Sequence, residues 1–160
     1  MAYDLEMQDS KIRIKGSEER VMIVPTKMIA EMGKEFYKIV GDASKVMMRE
    51  IGKCLGEYMT EVAISELKKE VSQSDLRDLL NAIATFLARS GFGKISVEEE
   101  DDGSLKIVVE DAPSKGSNVD CSFEEGVVKG VLEKMTGKKY MVRKLGSDGS
   151  RCVVLVKEYK

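Results

Sequence analysis

The sequence predicts an α+β domain in which an antiparallel sheet packs against helices, in the order ββ-ααα-ββ-α-ββ. Two observations carry this. Apolar residues alternate with polar ones in three pairs of short segments, each pair flanking a turn that contains glycine. Between and after the first two pairs, the apolar spacing changes to three and four residues, once as a run of three helical stretches and once as a single one.

The first pair is Lys11 to Val24, alternating around Ile12 and Ile14 and again around Val21 and Ile23, with Gly16 to Glu19 as the turn. Pro25 stops the ladder and suits the start of a helix, which Met28, Met32, Phe36 and Ile39 carry to Gly41. Asp42 is placed to cap a longer helix, whose apolar positions Met47, Ile51, Leu55, Tyr58 and Val62 lead to Leu67. Ser72 and Asp75 form a start signal for a third helix through Leu76, Leu79, Leu80, Ile83, Phe86 and Leu87, ending at Gly91. Ile95 and Val97, then Leu105, Ile107 and Val109, flank an acidic turn closed by Gly103. Ser122 and Glu125 have capping-box spacing ahead of Phe123, Val127, Val131 and Met135, and Gly137 marks that helix's end. Two strands, Lys139 to Leu145 and Cys152 to Tyr159, close the chain around Gly146 to Ser150.

Composition narrows the function. A chain of 160 residues with 42% hydrophobic content buries an ordinary core as one domain spanning 1–160. The 26 basic and 28 acidic side chains leave a net charge of -2, which advertises no nucleic-acid partner. Apolar runs are too short to cross a bilayer, and the first ten residues lack the features of a signal peptide, so a cytoplasmic protein with no membrane partner is expected. Histidine is absent, removing the usual general base and the usual zinc and haem nitrogen ligand. The three cysteines, Cys54, Cys121 and Cys152, contain no CxxC pair and are expected as reduced thiols. No cofactor is expected.

Two pairs of glycines stand four residues apart inside helices: Gly52 and Gly56 on the long one, Gly126 and Gly130 on the last. Each costs about 0.8 to 1.0 kcal/mol against alanine, so something in the fold must offset roughly 3 to 4 kcal/mol. Close helix packing is one reading; room for a ligand beside the helices is the other. Under the second, the walls of an apolar pocket would be Phe36, Met47, Ile51, Leu55, Tyr58, Phe86, Phe123 and Val127, each on its helix's apolar stripe.

The segment from Cys121 through Gly126 and Gly130, then Gly137, a basic strand, a glycine turn and Cys152-Val-Val-Leu-Val, resembles the C-terminal signature of the 4-vinyl reductase domain family, in its archaeal form. The resemblance implies the ligand-binding fold that this family shares with a vesicle-tethering component and with phenol-sensor modules. It implies a buried pocket for a small apolar molecule, such as a hydrocarbon, a sensing or regulatory role, and a homodimer. It also implies zinc at Cys121 and Cys152, but the two intervening ligand positions fall at Lys144 and Ser147, so no metal is expected. The cysteine pair then reads as two small buried residues joining adjacent elements.

Other classes fare less well. A recognition helix from Ser74 to Ser90 with a wing from Lys94 to Val109 would resemble a winged-helix DNA-binding module, but Glu98 to Asp102 would repel phosphate. A tetrapyrrole vinyl reductase would need a cofactor site, and no glycine-rich dinucleotide fingerprint follows a strand. Lys53, Glu57 and Tyr58 read as a solvated helix face, so catalysis is assigned no residue. A protein-interaction module without a ligand is the alternative to a sensing domain.

Overall fold

The computed structural model describes residues 5–8, 11–14, 20–67, 76–148 and 151–159. It is a mixed α and antiparallel β fold, as the sequence predicts. Strands β1 (Leu5–Gln8), β2 (Lys11–Ile14) and β3 (Arg20–Val21) form a small antiparallel sheet in that order. β1 is an addition to the expected hairpin, and it pairs in register from Leu5 opposite Ile14 to Gln8 opposite Lys11. The expected turn at Gly16 to Glu19 and the start signal at Ser72 and Asp75 lie outside the described residues.

Helices α1 (Lys27–Val40), α2 (Ala43–Leu67) and α3 (Leu76–Leu87) follow. α1 ends where glycine permits it, at Gly41, with φ 58°. α3 runs into a wider π-type turn, Ala88–Phe92, in which Gly91 has φ 92° and breaks the helical path. The second sheet has the order β4-β5-β7-β6, formed by Lys94–Glu99, Leu105–Glu110, Arg151–Glu158 and Tyr140–Ser147. All three pairings are antiparallel, and a register shift interrupts β6 between Lys144 and Gly146.

α4 (Ser122–Thr136) is the central element, buried from Ser122 to Val128 and again from Gly130 to Glu133. One side meets the sheet, where Val128 and Leu132 pack with Ile107, Val109, Val154 and Val156. Another meets helices, where Phe123, Val127 and Val131 cluster with Met48, Ala63, Ile83 and Leu87. A helix enclosed in this way must place its polar groups on partners. Glu125 accepts hydrogen bonds from Arg49 Nη2 at 2.6 Å and Nε at 3.0 Å, and from the Lys144 backbone N–H. Glu133 pairs with Lys53 at 3.2 Å and Lys139 at 3.3 Å. These carboxylates tie α4 to α2 and to the β6 end of the sheet.

The capping-box expectation is corrected here. The residue before α4 is Cys121, in a left-handed conformation and without a side-chain cap. Glu125 instead crosses to Arg49 and Lys144, because a buried carboxylate gains more from a cation than from one local N–H. Among the described residues no helix is long and apolar enough to cross a membrane.

Candidate functional site

The two glycine pairs resolve into a single crossing of α2 and α4. A Cβ on Gly52 would strike the Phe123 carbonyl and one on Gly56 the Val127 carbonyl; reciprocally, Gly126 faces the Arg49 carbonyl and Gly130 the Lys53 carbonyl. Backbone therefore fills the space in front of each glycine, and the reading of these faces as ligand room is replaced by direct helix contact. The buried face of α2 is small apart from Met48: Ser44, Gly52, Gly56, Thr60 and Ala63 share it. That choice turns the expected apolar stripe aside, leaving Met47 and Tyr58 41% and 39% exposed. Ile51, Leu55, Phe36 and Phe86 are half-buried against the helical cluster, and Phe123 is fully buried inside it.

Free space lies on the other side of α4. A slot of about 40 Å³ is bounded by Leu80, Ile83, Ala84 and Leu87 of α3, by Phe92 of the π-type turn, and by Ile95, Val97, Ile107 and Val109 of β4 and β5. Its floor is α4, through Glu124, Val127, Val128, Val131 and Leu132. Of the pocket walls expected from the sequence, Val127 lines it and the others do not. Phe92 could be suspected from its setting, since it stands between Gly91 and Gly93, whose φ values are 92° and 83°. Its ring stacks on Phe123 with centroids 6.1 Å apart.

Among the described lining residues Glu124 alone has an ionisable side chain. It is 2% exposed. Its carboxyl accepts hydrogen bonds from the Ser114 backbone N–H at 2.8 Å and from Ser114 Oγ at 2.5 Å. Burial pushes the Glu124 carboxyl above the ordinary carboxylate range, against the opposing pull of the two Ser114 bonds. Burial acts on Glu133 as well, but there the hydrogen bonds from Lys53 and Lys139 outweigh it and hold the carboxyl low. Sequence reasoning passed over Glu124 because an acidic residue in a helix's first turn is ordinarily a solvated partner of the helix dipole.

Behind Ser114 lies a second, polar cleft of about 220 Å³, lined by Ala112, Ser114, Lys115, Gly116, Ser117, Asp120, Cys121, Ser147, Arg151 and Cys152. Cys121 and Cys152 form a disulfide across it, which corrects the expectation of reduced thiols. A separation of 31 residues hid the pairing, since only the packing of α4 against β7 brings the two Cα atoms to 5.7 Å. Bonded to each other, these sulfurs are not available to zinc, and among the described residues no group of three or more potential ligands could hold a metal. Lys144, at an expected ligand position, instead pairs with Asp120.

The arrangement of a sheet, a buried helix and an apolar slot between them is one that solved structures share. The chain is similar over 96% of its length to the phenol-responsive sensory domain of the transcription activator PoxR, solved with phenol, covering 84% of that chain with 18% identity and a TM-score of 0.72. It is also similar to a trafficking protein particle complex subunit 3 from Naegleria fowleri covalently bound to palmitic acid, at 14% identity and TM-score 0.61, covering 84% of this chain and 95% of that one. An H-NOX protein from S. oneidensis in the Fe(II)NO state aligns with 10% identity and TM-score 0.54, over 90% of this chain and 83% of its own. No protein-family model matches the chain, and no curated protein matches its sequence. The shared fold is the part of the sequence resemblance that the comparisons support.

Proposed function

We propose that the chain is a sensing module of the 4-vinyl reductase domain type that binds a small apolar molecule in the slot between α3, α4 and the β4–β5 hairpin. The observation that carries the reading is the slot's composition: apart from Glu124, every lining side chain is apolar, and free volume is present where the neighbouring α2–α4 contact leaves none. At about 40 Å³ the slot is smaller than an aromatic guest. Entry therefore requires Phe92 or α3 to move, and the glycines flanking Phe92 permit that backbone change. Such a movement is what a sensor transmits. The likeness to a sensory domain solved with phenol supports the same reading.

The test is thermal unfolding of the full chain in rising concentrations of toluene and of phenol. The midpoint should rise by mass action, and Ala84→Val, whose two added carbons take up slot volume without exceeding it, should reduce the rise while leaving a folded protein. No shift with either probe in the wild type would defeat the reading. The expected homodimer is part of this proposal. Met22, Ile23 and Val24 before α1, with Ile39, Val40 and Val46 around the α1–α2 turn, present exposed apolar surface that a second copy would cover. Sedimentation of the purified chain reads the mass directly.

A further inference from the structure

We propose that the Cys121–Cys152 disulfide is a reversible redox element, and that its cleavage loosens the segment that holds Glu124 at the wall of the slot. Three features of the structure converge on this. The polar cleft touches both bonded residues, so a small thiol entering it meets the disulfide although both cysteines are buried. The leaving group is well placed: Cys121 precedes the first turn of α4, where the positive end of the helix favours a thiolate, and Lys115 and Arg151 line the same cleft, whose Asp120 carboxylate is paired with Lys144. The segment itself is strained, because Asp111 at one end and Asp120 and Cys121 at the other have φ of 55°, 38° and 52°, a region that side chains with a Cβ rarely occupy.

The chemistry balances with a dithiol as the reductant. Its first thiolate attacks Sγ of Cys152, the Cys121–Cys152 bond breaks, and Cys121 leaves as the thiolate at the start of α4. The second thiol, deprotonated, attacks the reductant's own sulfur in the mixed disulfide and releases Cys152. Two electrons and two protons pass from the dithiol to the cysteine pair, and the dithiol ends as its own disulfide. Cys54 takes no part: it is exposed on α2, away from the cleft.

Ser114 connects this chemistry to the slot. It lines the cleft, and its N–H and Oγ hold the Glu124 carboxyl. With the covalent tether gone, the segment keeps its buried anchors Ala112 and Val119 and the exposed Asp120–Lys144 pair, which is a weak substitute in solvent, so loosening centres on the stretch between those anchors that carries Ser114. The consequence for guest binding rests on the function proposed above; the redox step and the loosening do not.

The experiment uses the full chain, with dithiothreitol as the probe. Thiols titrated after denaturation should number one in air-oxidised protein, from Cys54, and three after native treatment with dithiothreitol. Amide hydrogen exchange across residues 112–125 should then accelerate about tenfold while the β5 and β7 amides stay protected. The Cys121→Ser, Cys152→Ser double variant should match the reduced wild type, and if that variant does not fold, the reduced wild type alone decides. Three thiols under every oxidising condition, resistance to dithiothreitol until the chain is denatured, or unchanged exchange at 112–125 on reduction would each overturn the proposal. A failed toluene shift with accelerated exchange would count against the apolar guest and not against the switch.

Discussion

Gly52 and Gly126 face each other's helices at one crossing: a Cβ on the first would meet the Phe123 carbonyl, and a Cβ on the second would meet the Arg49 carbonyl. Here the missing side chains are the contact. Gly52→Ala and Gly126→Ala should each lower stability by about 1 to 3 kcal/mol, because overpacking exceeds the roughly 1 kcal/mol that alanine returns in helix propensity. The double variant should cost less than the sum, since either alanine already forces the helices apart. Gly146→Ala, where an added Cβ meets nothing within 4 Å, serves as the control and should stay within about 0.5 kcal/mol of wild type. Urea midpoints decide, and a wild-type midpoint for Gly52→Ala would refute the close crossing.

Glu124 should make the protein less stable as pH rises. Burial lifts its folded-state value above the unfolded one, so its contribution is fully present below the unfolded value near 4.5 and is lost as pH climbs through the folded value. Glu124→Gln retains an acceptor for Ser114 and cannot ionise. Relative to wild type, its melting temperature should improve as pH rises above about 4.5 and level off once Glu124 is ionised in the folded protein. A difference that does not change with pH would mean that Glu124 is not the titrating group.

The Glu133 carboxyl has the opposite sign. Burial raises it, but the Lys53 and Lys139 bonds win and depress the folded value, so its stabilisation is present above the unfolded value and lost as pH falls through the folded one. Lys53→Met should move the acid unfolding midpoint to higher pH and cost about 1 to 3 kcal/mol at neutral pH, because it leaves a buried carboxylate with Lys139 as its remaining cation. An acid-unfolding curve followed by circular dichroism measures both effects.

Val131 lies at the slot and within the helical cluster. Val131→Ala should lower stability by roughly 1 to 3 kcal/mol and enlarge the slot. The toluene-induced rise in melting temperature should then exceed that of wild type. A loss of stability with a smaller rise would place the guest elsewhere.

Much of the fold could be read locally. Period-two and period-three-to-four spacing found the hairpins at Lys94–Glu110 and Tyr140–Glu158 and the helices α1 to α4 among the described residues, and Gly41 and Gly137 marked helix ends because glycine accommodates the backbone there. The paired glycines announced an unusual contact, since their propensity cost had to be offset somewhere. What they contact was open in the sequence, because the same absence of a Cβ suits either a helix or a guest.

Tertiary structure decided the rest, wherever the deciding partner is remote in the chain. Ile51 and Leu55 are half-buried at the side of the helical cluster and Phe123 is inside it, because α2 presents its glycines to the α4 backbone. Glu124 is a buried wall residue and not a solvated helix start, because the segment carrying Ser114 folds over it ten residues away. Cys121 and Cys152 meet across 31 residues, and Arg49 reaches Glu125 across 76. Local spacing determines which residues share a face; only packing determines what that face meets, because burial and partnership depend on chain segments that local periodicity does not relate.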